Sequence, residues 1–272
     1  SKVGGGSYNI QDNLRTSQNC FIELLSIDRT VGYQIGFQYI RQLCLHLRQV
    51  RNNMTKDVLK NIYSWQFYHC LKLWALTLTN AKISDLALLV HHLVQLIVGV
   101  TRLSNNIKHF PFHLKMFDLL VQINATTGQF VPAAQYILYP LDTSNLGFFT
   151  SKPKPLQDKA IPDTLVSLKF AKKHLNTQEC RDRVVKEILD SLTLYLAANG
   201  NSLAFPELVV PVCVLIRKFK KQSGNANYKK SVQAFLDLLG RHETYVAQNR
   251  AKIKDKSLRD PARLFQQFSA IL

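Results

Sequence analysis

Late in the chain Tyr228, Val232, Phe235, Leu239, His242 and Val246 recur at alternating spacings of four and three. That period lines side chains along one face of an α-helix and along no face of a strand. Lys230, Asp237, Arg241 and Gln248 fall opposite, so the pattern predicts a helix with one wet side. Other stretches are apolar most of the way round, as in "IYSWQFYHCLKLWALTL" and "LALLVHHLVQLIVGV". A helix of that composition needs neighbours on two sides.

Convincing period-two alternation is almost absent. The pattern predicts helices over 14–27, 31–50, 55–79, 84–104, 112–127, 131–140, 177–198, 206–221, 227–250 and 260–271, separated by short connections. Thr55 and Ser84 fit N-caps, Pro111 breaks the chain in "HFPFH", and Gly128 stops one helix before Pro132 opens the next. Consecutive helix pairs, some covered on two faces and some on one, describe an all-α chain. The expected form is an irregular α-solenoid of HEAT/armadillo-like helix pairs.

The helical pattern lapses near residues 141–170, where "SKPKP" and Pro162 favour extended chain. The expected organisation is a flexible segment over 1–13, helical repeats over 14–140, an extended linker over 141–176 and a second helical run over 177–272. Within the linker, "TLVSLKF" fits a short strand or an arm lying on a neighbour. The opening "SKVGGGSYNI" has no initiator Met and no apolar signal core, and reads as an interior piece of a longer protein.

The stretch "SLAFPELVVPVCVLIRKFKK", residues 202–221, is too short in its apolar part to cross a membrane, and Pro211 argues against a central strand. As a helix it takes Ser202 as N-cap, Pro206 and Glu207 in the first turn, a bend at Pro211, and Arg217, Lys218, Lys220 and Lys221 in the last turn. The helix dipole accounts for one or two of those cations; four ask for a partner.

The whole chain points the same way. It carries 35 Lys and Arg against 18 Asp and Glu, for a net charge of +17 over 272 residues. Both halves are basic, which favours an acidic partner, nucleic acid before membrane. The candidate phosphate contacts are Arg217, Lys218, Lys220, Lys221, Lys229, Lys230, Lys252, Lys254 and Lys256. Any one of these lysines is ordinary solvated surface; as a set on the last helices they point to phosphate contact.

No catalytic constellation or cofactor motif emerges, and the reading is of a non-enzymatic chain. "GGGS" at 4–7 lacks a P-loop Lys. His109 and His113 have helical metal-pair spacing but straddle Pro111 with no accompanying Glu. His91 and His92 fit core or boundary positions. Cys20, Cys44, Cys70, Cys180 and Cys213 are odd in number and widely spaced, fitting buried thiols rather than disulfides or a zinc site. Trp65, Phe67 and Trp74 fit core positions in so apolar a segment.

Seven stretches occur in the order expected of one family. They include "YSWQFYHCLKLWALTL", "RLSNNIKHFPFHLKMFDLLVQINATTGQFVPAAQYIL", "SKPKPL", "QECRDRVVKEILDSLTLYLA" and "SLAFPELVVPVCVLIRKFKK". From about Cys20 to Ile253 the chain resembles the nucleolar complex protein 2 family. The resemblance implies a helical-repeat assembly factor of the nucleolus and nucleoplasm that accompanies large ribosomal subunit precursors. Its implied partners are nucleolar complex protein 1 or 3, precursor rRNA and ribosomal proteins. One branch of the family also implies an alternative, a histone-binding chromatin regulator acting through protein contacts. The stretch "KDKSLRDPARLF" departs from the family pattern, so the tail rests on its charge alone.

Overall fold

A computed structural model describes residues 6–80, 86–142, 145–153 and 163–252. Among them the chain is helical with no extended strand. It divides into two compact units, Ser1–Leu103 and Ser104–Leu272.

In the first unit α1 (Gly6–Ile27) and α2 (Arg29–Asn52) form a hairpin through Asp28, whose carboxylate accepts from the N–H groups of Thr30 and Val31 at 2.9 and 3.1 Å. Two of α2's otherwise orphaned donors are thereby satisfied. The expected helix over 55–79 is two helices, α3 (Lys56–Ile62) and α4 (Trp65–Leu78). Thr55 caps the first as predicted, and Ser64 Oγ caps the second by accepting from Phe67 N–H at 3.2 Å. A short polar side chain competing for the backbone ends α3 there. The last helix of the unit is α5 (Val90–Thr101), shorter than the expected 84–104, with residues 86–89 in a tighter 3₁₀ turn. The Ser84 cap lies outside the described residues.

Trp74 is the centre of this unit. It is buried, meets Phe21 edge-on at 5.8 Å and lies 5.9 Å from Tyr39. A β-carbon at Gly36 would stand 3.0 Å from Leu89 and 3.2 Å from the indole, so the missing side chain is what lets α2 approach. Trp65, by contrast, is 39% exposed, correcting its expected core position: it opens α4, before that helix is covered. Exposed His91, His92 and Gln95 give α5 a wet stripe, contrary to its expected two-sided cover.

The second unit is built around α6 (Phe110–Thr127), whose residues 110–117 are all buried. Pro111 lies in its first turn, where a missing N–H costs nothing, so α6 starts before the proline rather than after it. Gly128 ends α6 at φ 66°, donating to Asn124 O, as the sequence anticipates. Then come α7 (Ala134–Leu138), continued by a 3₁₀ turn over Tyr139–Leu141, and α8 (Leu146–Thr150). Three long helices follow: α9 (Gln178–Ala198), α10 (Phe205–Gln222) and α11 (Ala226–Lys252). The expected helix over 260–271 lies outside the described residues.

The segment expected as an extended linker sits inside this unit, with α6 and α9 on either side of it packed together. Its described part is held by specific bonds. Arg181, buried on α9, donates to the Ser151 carbonyl and hydroxyl at 2.7 and 2.8 Å. Buried Lys115 donates to the carbonyls of Thr164 and Leu165 at 3.0 and 2.8 Å. Phe170 donates its N–H to Lys108 O at 2.8 Å and stacks on Phe110 at 6.3 Å. Residues 164–170 are therefore an arm on a neighbouring helix and not a strand. At the other end of the chain, α1 begins at Gly6, so residues 6–13 are helical where a flexible segment was expected.

Candidate nucleic-acid interface

The interface grows from the α10–α11 hairpin. Helix α10 buries Phe205, Val209, Val212, Cys213, Ile216 and Phe219, and carries Pro206 in its first turn and Pro211 inside. Its N-cap is Ala204, with no side-chain bond. Ser202 sits two residues earlier, in the preceding turn, where its carbonyl accepts from Phe205 N–H. Glu207 takes the first-turn position predicted for it. Arg250 donates to its carboxylate at 2.7 Å, and that bond holds the carboxyl below its usual range.

At the other end of α10 the buried Phe219 is followed by Lys220 and Lys221, and early in α11 the buried Tyr228 is followed by Lys229 and Lys230. The two rings lie 6.3 Å apart, and Phe149 of α8 meets them at 5.1 and 6.2 Å. The Tyr228 hydroxyl donates to Asp182 at 2.5 Å and accepts from Gln178 at 2.8 Å. Burial, then the Asp182 bond, raises the phenol's pKa, so it stays a donor. The aromatic cluster thus fixes both helices just where their lysines emerge.

Arg217, Lys220, Lys221 and Lys229 converge on one groove of about 530 Å³, shared with Gln233, Leu236 and Asp237. Residues 217, 220 and 221 are three and four apart, hence on one helical face. Lys220 donates to the Gln233 side-chain oxygen, and Gln233 donates to Asp237 at 2.6 Å. The groove therefore sets four cations against one carboxylate, with Arg217, Lys221 and Lys229 exposed. Such a surface attracts an anionic chain and meets phosphates by charge-assisted bonds.

The remaining candidates are placed differently. Lys218 and Lys230 are exposed and do not line the groove, because each is about 100° further round its helix. Only Lys220 and Lys221 stand in the last turn of α10, whereas Arg217 and Lys218 lie one turn earlier, which weakens any dipole account of all four. Lys252 is the last residue of α11, and Lys254 and Lys256 lie outside the described residues. Sequence reasoning missed Gln233 and grouped Asp237 only with the wet face. Their spacing of four and eight from Lys229 carries the signal that they share its face.

The other polar groups have local roles. His113 is buried, with Nδ1 2.9 Å from the Tyr139 hydroxyl, and burial lowers its pKa to about 3. His109 is lowered to about 4, by burial first and then by Lys108 and Lys169. Burial pushes the Cys70 thiol up and Cys180 up to about 12, away from the reactive thiolate. All five cysteines are free, but Cys20 and Cys44 are exposed, contrary to the expected burial; they occupy outer positions of α1 and α2. Among the described residues no group of three or more His, Cys, Asp or Glu is placed to hold a metal. Nor is any described helix long and apolar enough to cross a membrane.

The family model of the Noc2p family matches residues 7–266. The chain belongs to that family. It is 31% identical over 247 residues to nucleolar complex protein 2 of Drosophila melanogaster, covering 90% of this chain and 32% of the fly protein. It is 30% identical over 237 residues to nucleolar complex-associated protein 2 of Arabidopsis thaliana, covering 87% of this chain and 30% of the plant protein. Similarity to the nucleolar complex protein 2 homolog of Caenorhabditis elegans is 26% over 239 residues, 86% of this chain and 33% of the worm protein. The chain thus spans about a third of the length of these relatives. Both halves of the candidate groove, α10 and the start of α11, fall inside the family match.

Proposed function

We propose that this chain is a non-enzymatic scaffold region in the assembly and intranuclear transport of large ribosomal subunit precursors. It works in the nucleolus and nucleoplasm, where the groove of Arg217, Lys220, Lys221 and Lys229 holds the phosphate backbone of precursor rRNA. The observation that carries the reading is the convergence of those four cations from two helices, braced by the Phe219–Tyr228 pair. The nucleolar names of the relatives support the setting. Lys218, Lys230, Lys252, Lys254 and Lys256 extend the basic track beyond the groove. The helices stack as an irregular α-solenoid of HEAT/armadillo-like pairs, and the scaffold pairs with nucleolar complex protein 1 or 3 beside ribosomal proteins of the large subunit precursor.

The test is purification of the intact protein from nuclei with and without nuclease. The reading expects precursor rRNA to accompany the protein and to crosslink to the α10–α11 hairpin, while the sister scaffold protein survives nuclease. Recovery of histones with no crosslinked RNA would replace this reading with the chromatin one.

A further inference from the structure

A second cavity, of about 340 Å³, opens between α9 and α11 and is closed at one end by Phe205. Leu196, Phe235 and Leu239 also line it, and no Lys, Arg, Asp or Glu does. Its rim is apolar and uncovered. Leu238, a lining residue, is 54% exposed, and Tyr245, seven residues on and so on the same face, is 45% exposed. Leu194, beside the lining Thr193, is 65% exposed. A groove between two helices with apolar walls suits a third helix with a matching stripe.

The sequence supplies one. Residues 253–272 lie outside the described residues, and their second half reads "DPARLFQQFSAIL". Asp260 and Pro261 form a helix start signal, and Leu264, Phe265, Phe268, Ile271 and Leu272 recur at one, three and four, a single apolar stripe. From Leu264 to Leu272 there is no charged residue, which suits an uncharged groove. The reach is sufficient. Helix α11 ends at Lys252, about 21 Å beyond Leu238 at 1.5 Å per residue. The seven residues 253–259 span up to about 24 Å when extended, and the twelve-residue stripe itself runs back about 18 Å.

We propose that residues 260–271 fold back as an amphipathic helix and seat their Phe265–Phe268 stripe in the α9–α11 cavity of the same chain. The inference stands apart from RNA binding, because none of the groove cations lines this cavity. Docking also turns the basic stretch from Lys252 to Arg259 into a closed loop at the end of α11.

The test uses the full chain with paired cysteines. Leu238→Cys with Phe268→Cys is compared with Val214→Cys with Phe268→Cys, Val214 being exposed on the outer face of α10. Under mild oxidation the first pair should close within the monomer at least about tenfold faster than the second, at a rate independent of protein concentration. Equal rates would overturn the proposal, and a disulfide-linked dimer would hand the groove to a second copy. Hydrogen exchange on the unsubstituted chain gives an answer that needs no cysteine variant to fold. Amides of 264–272 should exchange at least about tenfold slower than free peptide, and Leu238→Asp should abolish that protection. Free-peptide rates in the isolated chain would reserve the cavity for another protein and sink the inference.

Discussion

Phe219 and Tyr228 stand across the α10–α11 turn with ring centroids 6.3 Å apart, and each is followed in sequence by two lysines. The buried rings fix where four ammonium groups leave the surface, and only those on the right helical phase enter the groove. Tyr228→Phe keeps the ring but deletes the bonds to Asp182 and Gln178. The expected loss is about 0.5–1.5 kcal/mol, read as a lower melting temperature with RNA affinity unchanged. A large affinity loss with unchanged melting would move the hydroxyl into the binding surface.

Lys115→Met should release the arm over 164–170. The buried ammonium satisfies two arm carbonyls some fifty residues away, and its removal leaves them without a charge-assisted donor. A cost of about 1–3 kcal/mol is expected, with hydrogen exchange quickening at 164–170 before the rest of the unit. Unchanged exchange there would mean that the Phe170–Phe110 stack alone holds the arm.

Much of this was legible in the sequence where one residue's face is enough to decide its role. The wet and dry sides of α11 follow from period alone: Tyr228, Val232, Phe235, Leu239 and Val246 are buried while Lys230, Asp237, Arg241 and Gln248 are exposed. The break between α3 and α4 was hidden because Ser64 is a single polar residue in an otherwise continuous apolar run. Lys115 was illegible for a different reason: its partners are distant backbone carbonyls, which no local pattern announces. In the candidate site the cations were legible and their grouping was not. Separating Lys218 and Lys230 from the groove requires knowing how α10 and α11 are rotated against each other.

Trp74→Ala should destabilise the first unit by about 3–5 kcal/mol, the range for truncating a buried aromatic. Gly36→Ala should also destabilise it, because the new methyl meets Leu89 at 3.0 Å and the indole at 3.2 Å. Thermal melts of the single and double variants check both. Since Trp74→Ala empties the space that Gly36→Ala needs, the double variant should lose less than the sum. Strict additivity would contradict the packing described.

Acid should weaken the second unit through His113. Its folded pKa lies near 3 against an ordinary 6.5, because burial disfavours the imidazolium. Between those values the unfolded chain binds the extra proton and the folded one does not. Stability is therefore highest above pH 6.5 and falls as the pH drops toward 3, by up to about 1.4 kcal/mol per unit. His113→Gln should flatten the dependence of melting temperature on pH between 6 and 4. An unchanged slope in that variant would assign the acid sensitivity elsewhere.

The account's central claim is that the groove cations meet phosphate. The direct measurement is RNA affinity against salt concentration for the full chain and for a variant with Arg217, Lys220, Lys221 and Lys229 all changed to Glu, each with its melting temperature. At about 0.7 per phosphate on single-stranded RNA, four lost contacts should flatten the slope of log affinity against log salt by roughly 3. The same reversals at Lys218 and Lys230 should change it less. A variant that melts early but keeps the parental slope would show that these residues close a helix end and do not bind RNA.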